Sequence, residues 1–325
     1  MTRVVIALGG NALLRRGDRL DAASQRRNVM RAVSASIAPI ARAQELVLTH
    51  GNGPQIGLLA LQAAAYRPVA PYPLDVLGAE SGGMIGYMIE QALAGEVPGR
   101  DLATLLTQVE VDPADPAFST PSKPIGPVYA KAEAERLAAD TAWIFHPDGG
   151  GYRRVVPSPE PRRILEIAAI KLLVRAGAIV ICAGGGGIPV VASPDGRWRG
   201  VEAVIDKDLS AALLAEALAA DALLLLTDVA AVWTRWPMAE GVPLGSIGVA
   251  ALRSMSFAPG SMAPKVEAAC RFVERTGRLA GIGALEDAPA ILAGRTGTRV
   301  HAGASGPAFA LDQGAFPGQG LCNCP

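Results

Sequence analysis

The chain has 325 residues, half of them apolar, and its 30 basic side chains are balanced by 30 acidic ones. That length can fold around one large core or two lobes sharing a cleft. The zero formal charge gives the chain as a whole no pull toward nucleic acid or a membrane surface. The N-terminus passes straight into the apolar run 4–8 with no charged region ahead of a long apolar stretch, so no signal peptide is expected. The most apolar segment, 213–229, is broken by Glu216, Asp221 and Asp228 and does not read as a membrane span.

Strands and helices alternate along the chain. A short apolar run at 3–8 ends in Gly9-Gly10, and helical spacing follows through Val29, Val33, Ile37 and Ile40. A second strand at 45–49 ends in His50-Gly51-Asn52-Gly53, ahead of helical patterns at 56–65 and 78–93 and a strand at 102–107. The stretch 112–159 is rich in Pro and Gly, has little periodicity, and reads as an inserted subdomain or flap packed loosely on the main sheet. A helix is expected over 160–175, near Pro159 and Pro161, and then a strand at 178–183 running into the glycines 184–187. Further helices are expected over 201–219, 266–275 and 288–293, with strands at 222–226 and 298–301. The tail after His301 is low in charge and is expected to be poorly ordered. This alternation predicts an α/β fold with a mainly parallel sheet covered on both faces. Ligands of such sheets bind beyond the carboxyl ends of the strands, so the three glycine-rich turns should lie along one edge.

Gly-rich turns after strands let backbone N–H groups approach an anion. No GxxxxGK[ST] occurs, the glycines 184–187 run into Ile188-Pro189 without GxGxxG spacing, and the protein-kinase motifs are missing. The histidines His50, His146 and His301 are scattered without HExxH spacing. The cysteines Cys182, Cys270, Cys322 and Cys324 read as reduced thiols, since the CxC pair in the tail is two ligands short of a zinc site. No protein-held metal is expected.

The basic residues are lopsided. Only Lys123, Lys131, Lys171, Lys207 and Lys265 are lysines, against 25 arginines. A chain that so favours Arg keeps Lys where a compact ammonium is needed. Lys131 and Lys171 lie in plain helical patterns. Asp206-Lys207-Asp208 opens one helix, where the bland alternative is a solvated charged cap. Ser261-Met262-Ala263-Pro264-Lys265 opens another, where a lysine works against the helix dipole and points to a nearby anion.

From about residue 3 to 300 the chain resembles carbamate kinases of the amino-acid kinase superfamily. The resemblance is carried by 7–12 (ALGGNA), 50–57 (HGNGPQIG), 73–77 with 86–89, 107–109 (TQV) and 115–118 (DPAF). It continues through 123–129 (KPIGPVY), 153–159 (RRVVPSP), 184–189 (GGGGIP), 201–209 (VEAVIDKDL), 226–229 and 261–266. KPIGP, RRVVPSP and GGGGIP are specific to carbamate kinases within the superfamily, whereas Gly9-Gly10 and Thr227-Asp228 are shared more widely.

The resemblance implies an open αβα sandwich with a small protruding subdomain, and a cytoplasmic homodimer. It divides the domain 1–300 into an acceptor-binding part at about 1–190, which includes the subdomain 112–159, and a nucleotide-binding part at about 191–300. Residues 302–325 remain a tail. It implies the reaction ATP + carbamate = ADP + carbamoyl phosphate, with Mg2+ accompanying the nucleotide. By motif, Gly9, Gly10, Asn11, Gly51, Asn52 and Gly53 would cradle the acceptor and the transferred phosphoryl. Lys207 and Lys265 would hold phosphates, Asp208 would orient those lysines, and Lys123 would reach in from the subdomain. Gly184, Gly185, Thr227, Asp228, Met262 and Pro264 would line the nucleotide side.

The chain departs from the family pattern at Gly82, where the family has Gln, at Ala230, where it has Asp, and at Ala263, where it has Gly. Gly82 is expected to alter a helix start by the acceptor site or a subunit contact, and Ala230 lies near the expected nucleotide pocket. Two further readings stay open at this point: a related kinase with another small carboxylate acceptor, and a non-catalytic protein that binds nucleotide or carbamoyl phosphate.

Overall fold

The computed structural model describes residues 1–10, 14, 18–66, 71–141, 143–234, 241–257, 262–303 and 308–309. It begins with β1 (Arg3–Leu8), α1 (Ala22–Ala32), a π-helical stretch at Val33–Ile37, α2 (Ala38–Ala43) and β2 (Glu45–His50). Next come α3 (Gly53–Tyr66), α4 (Leu74–Glu96), β3 (Leu102–Thr104) and β4 (Gln108–Glu110). The middle of the chain holds β5 (Lys123–Tyr129), α5 (Lys131–Thr141), β6 (Ile144–Asp148), β7 (Gly151–Val156) and β8 (Arg163–Ile164). It continues with α6 (Ile167–Arg175), β9 (Ile179–Ile181), β10 (Ile188–Ala192), β11 (Trp198–Gly200), α7 (Lys207–Ala217) and β12 (Ala222–Thr227). The last elements are β13 (Leu244–Gly248), α8 (Val249–Arg253), α9 (Met262–Thr276), β14 (Leu279–Ala284), α10 (Ala288–Leu292), β15 (Thr298–His301) and β16 (Ala308–Phe309).

The central sheet has nine strands in the order β16-β13-β15-β14-β12-β1-β2-β9-β3. Every pairing from β3 through β14 is parallel, and antiparallel pairing enters only where β14 meets β15 and β13 meets β16. Parallel strands buried on both faces read as unbroken apolar runs, and β1 and β12 are of that kind. Alternate residues serve opposite layers. Val5 and Ala7 pack with α6, α7 and α9, while Val4, Ile6 and Leu8 pack with α1, α4 and α10. The result is the expected open αβα sandwich. Among the described residues no helix is long and apolar enough to cross a membrane.

Register places the site. Leu8 stands opposite His50 on one side and Leu226 on the other, so Gly9, Gly51 and Thr227 emerge side by side at the carboxyl edge. The sequence steps outward from β1 in both directions there, which is the switch point where α/β sheets bind ligands.

Several expectations are corrected by the structure. Most of the stretch 112–159 is regular: β5, β7 and β6 form a three-stranded antiparallel sheet with α5 beside it, and its two ends lack strand or α-helix. It also does not pack loosely on the main sheet. Ile125, Val156 and Trp143 join Ile56, Ala60, Leu74 and Leu77 in an apolar cluster against α3 and α4. The helix expected from residue 160 starts at Ile167, because Arg163 and Ile164 pair with Glu110 and Val109 first. The residue before a proline also resists helical geometry, and Glu160 precedes Pro161. The helix expected from residue 201 starts at Lys207. Gly82 lies well inside α4 rather than at a helix start. In the tail, Ala308 and Phe309 pair with β13, and the rest of the tail beyond residue 303 lies outside the described residues.

One contact ties α3 to β5 without side chains. A Cβ on Gly57 would lie 2.0 Å from Gly126 Cα, and Gly126 has φ +73°, a conformation open to glycine. Gly57→Ala is therefore expected to push β5 off the helix at a cost of about 1–3 kcal/mol. Its unfolding midpoint should fall by several degrees. Gly95→Ala, in a helix position with nothing within 4 Å, should hold or raise the midpoint. Equal midpoints for the two variants would rule out the close approach.

Candidate active site

Three helix N-termini converge on one cleft. Gly53 opens α3, Lys207 opens α7, and Pro264-Lys265 lies in the first turn of α9. All line a cleft of about 260 Å3 together with Gly9, Gly10, Asn52, Lys123, Arg153, Gly185, Asp206, Asp208, Thr227 and Asp228. The first amides of a helix have no intrahelical partner and carry the positive end of its dipole. Such ends favour anions. The cleft's side chains add four cations, Lys123, Arg153, Lys207 and Lys265, against three carboxylates, Asp206, Asp208 and Asp228.

At its floor lies a buried bridge of alternating charge. Lys207 Nζ donates to Asp208 Oδ1 at 2.6 Å and Lys265 Nζ to Asp208 Oδ2 at 2.8 Å, so one carboxylate holds two ammonium groups. Burial by itself would raise the Asp208 carboxyl, but the two lysines outweigh it and hold it well below the ordinary carboxylate range. Burial, with Lys265 close by, pulls Lys207 down to about 8 despite Asp208. Burial also works against the charge of Lys265, and there Asp208 more than compensates, leaving it above its usual value. Two cations held by one anion leave the floor of the cleft short of negative charge.

Asp206 stands just above. Its Oδ1 accepts from the Asp208 and Leu209 amides at 2.9 and 3.4 Å, capping α7, and its Oδ2 pairs with Lys123 Nζ from β5. Arg153, on β7, donates from Nε to Gly126 O at 3.0 Å and pairs with Asp148 at 3.1 Å. His50 closes β2 beneath the turn. Burial holds it down at about 4, so it is neutral near pH 7, and its Nδ1–H donates to Gly51 O at 3.1 Å.

Residues 2–282 match the Amino acid kinase family. Carbamate kinase of Haemophilus influenzae is 56% identical over 92% of this chain and 96% of its own length. Carbamate kinase of Escherichia coli K12 is 50% identical over 92% of this chain and 99% of its own length. The chain belongs to the amino acid kinase family, among the carbamate kinases. Giardia lamblia carbamate kinase bound to AMP-PNP superposes with a TM-score of 0.83 at 42% identity, over 92% of this chain and 98% of that one.

Within this carbamate kinase fold the sequence-derived residues fall as follows. Lys123, Lys207, Asp208 and Lys265 meet in the cleft, as do Gly9, Gly10, Gly51, Asn52, Gly53, Thr227, Asp228 and Pro264. Asn11 lies outside the described residues. Met262 turns away and packs on the main core. Gly184 and Gly185, read as nucleotide contacts, stand against His50 and Asn52, on the side of the 50–53 turn; a Cβ on Gly185 would sit 2.2 Å from the Asn52 amide nitrogen.

The Gly9 and Gly51 N–H groups donate to Leu226 O and Leu8 O, extending the sheet, so these two amides already have partners within the fold. A Cβ on Gly51 would sit 3.3 Å from both Gly10 N and Lys207 Cδ. Asp206 and Arg153 are not among the site residues expected from sequence, although both lie in segments named there. Asp206 carries the signal of an N-cap beside two other charges, and Arg153 lies inside the quoted RRVVPSP.

Proposed function

We propose that this chain interconverts ATP plus carbamate with ADP plus carbamoyl phosphate, running mainly toward ATP. The observation that carries the proposal is the buried Lys207–Asp208–Lys265 bridge at the meeting point of three helix N-termini. Phosphoryl transfer asks for positioning and for neutralisation of charge spread over the transferred group. Fixed ammonium groups and helix amides supply that without rearrangement at the moment of reaction. A carbamate oxygen is already anionic and needs no side-chain base, which agrees with a histidine kept neutral and turned to a backbone carbonyl.

In this reading the carbamate side lies by Gly10, Asn52 and Gly53, and the nucleotide side by Thr227, Asp228 and Pro264. Lys207 and Lys265 hold the phosphoryl group between them, and Lys123 approaches from the three-stranded unit, which closes over a small hydrophilic acceptor and excludes water. Mg2+ fits as a companion of the nucleotide. Among the described residues no cluster of three ligating side chains occurs, and Asp206 and Asp208 are engaged by lysines. A metal held largely by phosphate oxygens suits that donor set; it would neutralise nucleotide phosphate charge while the lysines act on the transferred group. The proposal includes a cytosolic homodimer, supported by the family resemblance of the sequence.

The test is ATP formation from ADP and carbamoyl phosphate with Mg2+, run beside acetyl phosphate as donor and N-acetylglutamate as acceptor in the reverse direction. Carbamoyl phosphate is expected to be preferred by at least tenfold in kcat/KM, a margin of about 1.4 kcal/mol. Equal use of acetyl phosphate, or phosphorylation of N-acetylglutamate, would move the acceptor to another small carboxylate. No turnover with any of them would favour a binding protein.

A further inference from the structure

We propose that Asp206 is a positioning residue that latches the three-stranded unit shut through Lys123 and so links its closure to the lysine bridge. The inference rests on the phosphoryl-transfer reading for its kinetic consequence, though not for the latch itself. The two oxygens of this carboxylate face different parts of the molecule. Oδ1 caps α7, the helix that carries Lys207 and Asp208, while Oδ2 takes the ammonium of Lys123 on β5. Asp206 is 8% exposed, while the Lys123 side chain is 26% exposed, so the carboxylate is shielded and the ammonium partly so.

A backbone tie flanks the latch. Lys123 stands opposite Val156 in the β5–β7 ladder, and the next residue, Pro157, accepts from Val204 N at 2.9 Å, two residues before Asp206. The other tethers differ in kind. Ile125, Val156 and Trp143 pack on α3 and α4, and Arg154 reaches Glu202 at a loose 3.8 Å while stacking on Trp143 at 3.9 Å from the ring centre. Apolar packing and a stacked arginine hold the unit near the body without specifying where the Lys123 ammonium sits. Among the described residues, it is the Asp206 pair that places that ammonium beside the helix start where Lys207 emerges.

The arrangement also explains why an acid occupies a helix start that faces an anion site. Ser or Asn would cap α7 equally well, but neither would hold a cation. A carboxylate shared between helix start and Lys123 keeps the ammonium at the cleft until a phosphoryl group arrives and gives it a second partner.

The test uses full-length Asp206→Asn and Asp206→Ser, both of which retain a capping side chain and remove the charge. Amide hydrogen exchange in the ligand-free protein reads the latch without relying on activity. Residues 123–129 and 151–156 are expected to exchange about tenfold faster in both variants, with α9 unchanged as internal control. Lys123→Met, which cuts the tie from the other side, should give the same pattern. Unchanged exchange of 123–129 in Lys123→Met, or in the Asp206 variants, would overturn the latch.

Kinetics with ADP and carbamoyl phosphate then read the coupling. Asp206→Asn should lower kcat about tenfold or more with the KM for ADP within about twofold of wild type, and the Asp206→Asn/Lys123→Met double variant should fall within about twofold of Lys123→Met alone. Multiplying effects would show that Asp206 acts independently of Lys123 and overturn the link to Lys207. An inactive wild type would refute the assigned reaction, while the exchange experiment would still decide the latch.

Discussion

Lys207→Arg is expected to lose about 10²–10³ in kcat while Lys171→Arg stays at wild-type turnover. The Lys207 stem runs against Gly51, where a Cβ would already be 3.3 Å from Lys207 Cδ, and its ammonium sits 2.6 Å from Asp208. A planar guanidinium is longer and wider, so it cannot keep that geometry and also present its charge to the phosphoryl group. Lys171 lies on α6 and does not line the cleft. The same ammonium should set an alkaline limb. Lys207 is held down at about 8 in the free protein, and only the protonated form neutralises phosphate. The value of kcat/KM should therefore be level below about pH 8 and fall as pH rises through it. In the complex the bound anion stabilises the charge, so the limb in kcat should lie at higher pH. Wild-type turnover in Lys207→Arg, or a level kcat/KM profile to pH 10, would remove this lysine from the chemistry.

The second large effect concerns stability. Asp208→Asn preserves shape but leaves two buried ammonium groups facing a neutral amide. The side chains of Asp208 and Lys265 are 4% and 9% exposed, so water compensates little. Removing one member of a buried charge cluster costs about 3–5 kcal/mol, far more than an intact cluster contributes over an apolar replacement. At about 2 °C per kcal/mol for a chain of this size, the unfolding midpoint at pH 7 should fall by roughly 6–10 °C. The sign with pH follows from the depressed carboxyl. Its contribution is fully present above its unfolded value of about 3.9, and is lost as pH falls further toward the lower folded value. The gap between variant and wild type should accordingly be wide at pH 7 and close on strong acidification. A midpoint within about 2 °C of wild type at pH 7 would mean that the lysines are not charged in the free protein.

Much of this arrangement is legible in the primary structure because it follows from short-range chemistry. Unbroken apolar runs at β1 and β12, too short for a buried helix, read as strands buried on both faces, and at β1 the following Gly9-Gly10 marks the end of the run. The lysines were legible for a different reason. In a chain with 25 arginines, three of its five lysines line one cleft, while Lys131 sits on the surface in a loose pair with Glu135. A compact ammonium is retained where a guanidinium does not fit.

Other elements were hidden because their local signal opposes their structure. The strand β14 contains Gly281 and Gly283, which weaken any strand pattern. A Cβ at Gly281 would meet Ile291 at 2.6 Å and Leu224 at 2.9 Å, so the glycines are there to let α10 close on the sheet. In the three-stranded unit the prolines and glycines mask the alternation of its strands. Gly126 is one of them, needed where β5 touches α3 backbone to backbone.

The sequence by itself determined the alternating architecture, the three glycine turns, and the lysines and acids that the fold gathers in one cleft, since each depends on residue type and near neighbours. Tertiary structure decided pairings that no spacing reveals. The resemblance already implied that Asp208 orients Lys265, 57 residues away, but Lys123 finds Asp206 across 83 residues, and nothing in spacing tells Asp206 from a solvated cap. It also decided that the Gly9 and Gly51 amides serve the sheet, because a backbone donor's partner depends on strand register and not on the glycine itself.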